Sequence, residues 1–133
     1  MHPAELPFSA SVERCFHRSA PAYQRGATLQ AAMATRLAQL TPPLPPGPRA
    51  DLGAGSGLLA RAIEAQVPDQ ALLRVDACLT LLEQEPVANP ALQRHWDLNH
   101  GLPHDLQESA LLASSFALQW LDQPALQDRK SVV

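Results

Sequence analysis

The sequence is short of positive charge: 10 lysines and arginines stand against 13 acids, a net charge of −3. No broad basic field is left to hold nucleic acid or an anionic membrane surface. No apolar run reaches the roughly 18 residues of a membrane-spanning helix, so no membrane partner is expected. The N-terminal Met1-His2-Pro3-Ala4-Glu5 lacks the charged and apolar regions of a signal peptide, which points to a cytoplasmic protein. Cysteine is scarce. Cys15 and Cys78 fit no metal or redox spacing, and two reduced thiols are the simplest expectation. What is present is an ordinary globular composition, 46% hydrophobic and 17% charged. Its 133 residues suffice for one small domain, expected as a monomer.

One stretch organises the rest: Ala50-Asp51-Leu52-Gly53-Ala54-Gly55-Ser56-Gly57-Leu58-Leu59. It reads as a strand end, a glycine turn and a helix start. Glycines at 53, 55 and 57 allow positive φ and close approach of a ligand to the backbone. The helix that follows aims free N–H groups at that ligand. A phosphate loop needs a lysine after its last glycine, and Leu58 follows Gly57. A dinucleotide fingerprint counted from Gly53 needs glycine at 58, where leucine stands. The pattern is D-x-G-x-G-x-G, which resembles the first motif of class I methyltransferases that use S-adenosylmethionine.

Taken in order, residues 1–40 read as a helical N-terminal segment. Ser11 caps a helix over Val12–His17, Pro21 interrupts, and Leu29, Met33, Leu37 and Leu40 form one apolar stripe on a second helix. Residues 41–49, rich in proline, read as a stiff linker. A strand ends near Leu52. Ser56 is positioned to cap a helix that buries Leu58, Leu59, Ala62, Ile63 and Val67, with Pro68 and Asp69 at its end. Strands follow at Ala71–Val75, ending at Asp76; at Leu92–Trp96, ending at Asp97; and at Ala110–Ser115. Helices are expected at Leu79–Glu85 and from Leu118, and a loop at Asn99–Pro103. Strands alternating with helices predict an α/β fold with a mostly parallel sheet.

Asp51, Asp76 and Asp97 thus end three successive strands, the first with a glycine turn. In Rossmann-like sites an acid at the second strand's end accepts hydrogen bonds from ribose hydroxyls. The joint pattern resembles the class I methyltransferase fold. A closer resemblance lies at either side. Phe16-His17-Arg18-Ser19-Ala20-Pro21-Ala22-Tyr23 with Leu29-Gln30 resembles the F-x-x-A-A-x-x-Y…L-Q pattern of the malonyl-carrier-protein O-methyltransferases of biotin synthesis. Leu112 to Trp120, with its Leu118-Gln119-Trp120, resembles that family's fourth-strand motif. Ser19 in place of alanine and Ala54 where cysteine is common are small departures.

The resemblance implies a Rossmann-like fold, of which this chain covers the N-terminal half: helices plus about four of seven parallel strands. Residues 50–127 are then a partial cofactor domain. It implies S-adenosylmethionine as cofactor and malonyl-acyl carrier protein as partner. Gly53, Gly55 and Gly57 would shape the loop at the methionine end, with Asp51 supporting it. Asp76 would hold the ribose and Asp97 the adenine. Tyr23 would fold over the cofactor as the catalytic residue of the N-terminal segment. Ser115, counted with the cofactor-binding set, would lie with Gln119 and Trp120 near the transferred methyl. A metal site from His95, His100, His104 and Asp97 is disfavoured by irregular spacing. Asp128–Val133 matches the translation of a common sequencing adapter and reads as a non-native tail, so the chain is expected to be an inactive fragment.

Overall fold

The computed structural model describes Cys15, Arg18, residues 27–86 and residues 88–115. Tyr23, Gln119 and Trp120 lie outside the described residues, as do the first helix and the C-terminal tail.

Helix α1 (Ala27–Leu40) is built from strong helix formers and stops where Thr41-Pro42-Pro43 forbids another turn. The expected leucine stripe is not its buried face. Leu29, Met33 and Leu40 are 63%, 39% and 56% exposed, and only Leu37 packs inward. The buried residues are Ala34 and Ala38, against Leu59, Ala60 and Ile63. Small side chains let two helix backbones approach closely, and that outweighs the hydrophobicity of the leucines.

The proline-rich stretch then runs alongside the start of the last strand. The Pro48 carbonyl accepts from the Ala110 N–H at 2.8 Å, and Gln70 donates to the Gly47 carbonyl. Gly47 has φ +143°, and a Cβ there would lie 3.2 Å from the Ala110 Cβ, so glycine is required by contact as well as conformation.

Strands β1 (Arg49–Leu52), β2 (Leu73–Asp76), β3 (Gln93–His95) and β4 (Leu111–Ala113) pair in the order β3-β2-β1-β4, all parallel. Between them lie α2 (Leu58–Gln66) and α3 (Leu79–Glu83), and short 3₁₀ turns at Pro90–Leu92, Leu98–His100 and His104–Leu106. β1 is buried at all four positions although two are charged. Alternation sends Ala50 and Leu52 to a layer with Val75, Leu98, Leu106 and Leu112. The opposite face meets α1 and α2 through Leu111 and Ala113. Arg49, 4% exposed, is paired by a bidentate bond to Asp69 at 3.0 and 3.2 Å.

A cluster of charges ties α2 to β2. Arg74 bonds Glu64 from one side and Glu85 from the other, and Arg61 also reaches Glu85 at 3.0 Å. Burial pushes the Glu64 carboxyl up, but bonds from Arg74 and the Leu72 N–H outweigh it and hold the group below its ordinary value.

The chain leaves β1 toward β2 and returns to β4 on β1's other side. That reversal opens a crevice at the carboxyl ends of β1 and β4, where ligands bind in open α/β sheets. Among the described residues no helix is long and apolar enough to cross a membrane.

Candidate cofactor site

A cavity of about 450 Å³ lies in that crevice. Its walls include Asp51, the loop Gly53–Ser56, Leu58 and Leu59 of α2, Leu81 of α3, Ser115 just beyond β4, and Gln30 and Ala34 of α1. The size suits a small-molecule ligand.

The loop is held by its backbone. Gly53, Gly55 and Gly57 have φ of 72°, 56° and 84°, a region only glycine enters cheaply. The Gly53 and Ala54 N–H groups donate to the Val75 carbonyl at 2.7 and 3.0 Å, and Gly57 N–H donates to Ala54. The expected Ser56 cap is absent. Gly57 itself occupies the cap position of α2 in left-handed conformation, with no side-chain cap bond. The Ser56 carbonyl instead accepts from Arg61 at 2.6 Å. Behind Gly57 stands Glu85, whose Oε2 would be 2.5 Å from an added Cβ.

Asp51 is 1% exposed, and its Oδ2 has no hydrogen-bond partner. Burial pushes the carboxyl up to about 8, the neighbouring Asp76 charge adds to this, and the Ala60 amide offsets part of it. A buried oxygen without a partner on a cavity wall favours a ligand that brings a donor or a positive charge.

Asp76 is also 1% exposed but saturated. Its Oδ1 accepts from the Cys78 N–H at 2.7 Å and from Arg18 Nη1 at 3.0 Å. Its Oδ2 accepts from the Gly55 N–H and from Arg18 Nη2, both at 2.8 Å. Asp76 thereby fastens the glycine loop to β2. Arg18 lines the cavity. The two cysteines correct the expectation of free thiols: they form a disulfide, with Cα atoms 5.1 Å apart. Sequence spacing carries no information about a contact made across such a separation.

Asp97 stays at the end of β3, where its Oδ1 accepts from the Asn99 N–H at 2.9 Å and caps a 3₁₀ turn. It is not part of the cavity wall. His95 contacts the Ala77 carbonyl, and His100 stacks edge-on against Trp96. Among the described residues no cluster of three or more metal-ligating side chains exists.

The structure therefore gathers Asp51, Gly53, Gly55 and Ser115 on one cavity and joins Asp76 to it through Gly55. Residue-by-residue reading misses Arg18, Gln30 and Gln84 as wall residues. Arg18 and Gln30 sit inside the segment that carries the N-terminal resemblance, which is the signal that could have found them.

Comparison with known proteins agrees with this geometry. The chain is 32% identical over 116 residues to a malonyl-[acyl-carrier protein] O-methyltransferase of Dechloromonas aromatica, covering 87% of this chain and 43% of that protein. Proteins of the same name from Alcanivorax borkumensis and Halorhodospira halophila are 32% and 33% identical, over 90% and 84% of this chain and 42% and 39% of theirs. The chain is related to the malonyl-[acyl-carrier protein] O-methyltransferases. It spans about two fifths of the length of these relatives. No protein-family profile matches the chain.

The plantazolicin methyltransferase BpumL, solved in complex with SAH, superposes with a TM-score of 0.56 at 16% identity, over 98% of this chain and 58% of that one. The fold is that of the class I methyltransferases, with the four described strands in the order β3-β2-β1-β4.

Proposed function

We propose that this chain carries the cofactor-binding part of an S-adenosylmethionine-dependent methyltransferase acting on the free carboxyl of malonyl-acyl carrier protein. The observation that carries the reading is Asp51: a buried, unpartnered carboxylate oxygen beside a glycine loop at the sheet's crevice. The cofactor's amino group is a cationic donor of the kind that oxygen lacks. Gly53, Gly55 and Ser56 present a wall without bulky side chains to the methionine end, and Ser115 lines the same cavity. Asp76 is the acceptor for the ribose.

When bound, the cofactor supplies an electrophilic methyl on a sulfonium. The protein's part is to bind, orient and exclude water. A malonyl carboxylate is already ionised near pH 7, so no general base is needed. Nucleophile and sulfonium carry opposite charges that cancel in the transition state. The apolar side chains of Ala34, Leu58, Leu59 and Leu81 keep the cavity wall dry and favour that cancellation. Alignment is the main contribution, and oriented reactants can gain about 7–11 kcal/mol.

Mass spectrometry of malonyl-acyl carrier protein, incubated with S-adenosylmethionine and the longest natural form of the protein, reads the activity directly. One added methyl is expected. Good cofactor binding with no methyl added to the malonyl group would refute the substrate and leave a methyltransferase of another acceptor.

A further inference from the structure

Two links join the N-terminal segment to the end of β2, side by side. One is covalent, between Cys15 and Cys78, 63 residues apart. The other is ionic: Arg18 closes on Asp76 with both guanidinium nitrogens. Cys15 and Arg18 both have helical backbone and stand three residues apart, which puts them on one face. Cys78 follows Asp76 by two residues, and its own N–H donates to the Asp76 carboxylate. The disulfide therefore fixes the guanidinium at the carboxylate.

A carboxylate offers about four acceptor positions. Asp76 has four donors on it, two of them from Arg18. An incoming hydroxyl can bind Asp76 only where Arg18 has left. A neutral hydroxyl is a weaker donor to a carboxylate than a guanidinium. The side chains are 13% and 0% exposed, so separating them would strand a buried charge. A tether adds to this by keeping the displaced group at high local concentration.

Building on the reading of Asp76 as the ribose acceptor, we propose that Cys15 and Cys78 form a redox latch on the cofactor site. Oxidised, the disulfide holds Arg18 on Asp76 and shuts out the ribose. Reduced, Arg18 is held on Asp76 by the ion pair alone, and the incoming cofactor can displace it. The chemistry balances with a dithiol as reductant. It gives two electrons and two protons, the S–S bond breaks, Cys15 and Cys78 become thiols, and the dithiol closes to its own disulfide.

The test uses the 133-residue chain in both redox states. Calorimetry with S-adenosylhomocysteine should show the dithiothreitol-reduced form binding at least about tenfold more tightly than the oxidised form. Cleavage by trypsin after Arg18, followed by mass spectrometry without any cofactor, should accelerate on reduction. Cys15→Ser should behave as the reduced form with or without reductant. Arg18→Gln should bind tightly even when oxidised, because the competitor is gone while the disulfide stays. Circular dichroism should be the same in all forms, which separates unlatching from unfolding. Equal affinity in the two states, with unchanged cleavage, would overturn the latch. Faster cleavage on reduction with no binding by either form or by Arg18→Gln would remove the ribose reading, and the latch with it.

Discussion

At Asp51 the burial of a central strand collides with the charge of its side chain. The carboxyl titrates at about 8 in the fold against an ordinary 3.8. The folded state then holds a proton that the unfolded state gives up, so stability falls as pH rises from about 4 toward 8, by up to ~1.4 kcal/mol per pH unit. Below about pH 4 both states are protonated and the effect is absent. Asp51→Asn should flatten this dependence and raise stability at pH 8, measured by urea unfolding across the range. A cationic ligand pulls the carboxyl back toward ionisation, so cofactor binding near pH 7 should release a proton. Calorimetry in buffers of different ionisation enthalpy would show it, and buffer-independent heats would remove Asp51 from contact with the cationic end. The glycines divide in a similar way. Gly57→Ala meets both a left-handed φ and the Glu85 carboxylate, whereas at Gly55 the nearest atom lies 3.6 Å away. Gly55→Ala should lose ~1–3 kcal/mol of stability to backbone strain, and Gly57→Ala clearly more, by thermal unfolding. The glycine positions are legible in the sequence because positive φ demands them. The Glu85 wall is not, because it arrives from the far end of the next βα unit.

Helix α1 shows how an element can be right in place and wrong in face. Its span follows from helix formers and a proline stop, but the leucine pattern points to the exposed side. Small residues decide the packing here, and a hydrophobic period ranks alanine too low to reveal it. Two substitutions separate the faces. Leu29→Ala should change stability by less than about 0.5 kcal/mol. Ala34→Leu should cost about 1–3 kcal/mol, because an overpacked contact forces α1 off α2. The charge network between α2 and β2 is likewise invisible to periodicity. Arg74 and Glu85 are 6% and 4% exposed and hold Arg61, and through it the Ser56 carbonyl of the loop. Glu85→Ala leaves two guanidinium groups short of a partner and should cost about 3–5 kcal/mol by urea unfolding. Replacing a buried ion pair with apolar groups is often neutral, so Arg74→Met with Glu85→Leu should recover part of that loss.

Across the whole molecule, the parallel sheet and its acids at strand ends are legible because strands, turns and helices each leave a local trace. Asp97 shows the limit: its place just past β3 is readable, whereas the 3₁₀ turn that its Oδ1 caps is set by the loop that follows. The cysteine pairing leaves no trace at all, since proximity between distant residues has no period. The same non-local character governs how the sheet comes into being. Ala50 pairs with Leu73, 23 positions on (73 − 50), but Arg49 pairs with Leu111, 62 positions on (111 − 49). During synthesis at about 5–20 residues per second, β1 therefore waits roughly 3–12 s for β4 to be made. One flank of β1 is covered early by β2. The other stays an open template for that interval, and any extended segment nearby on the ribosome can claim it first.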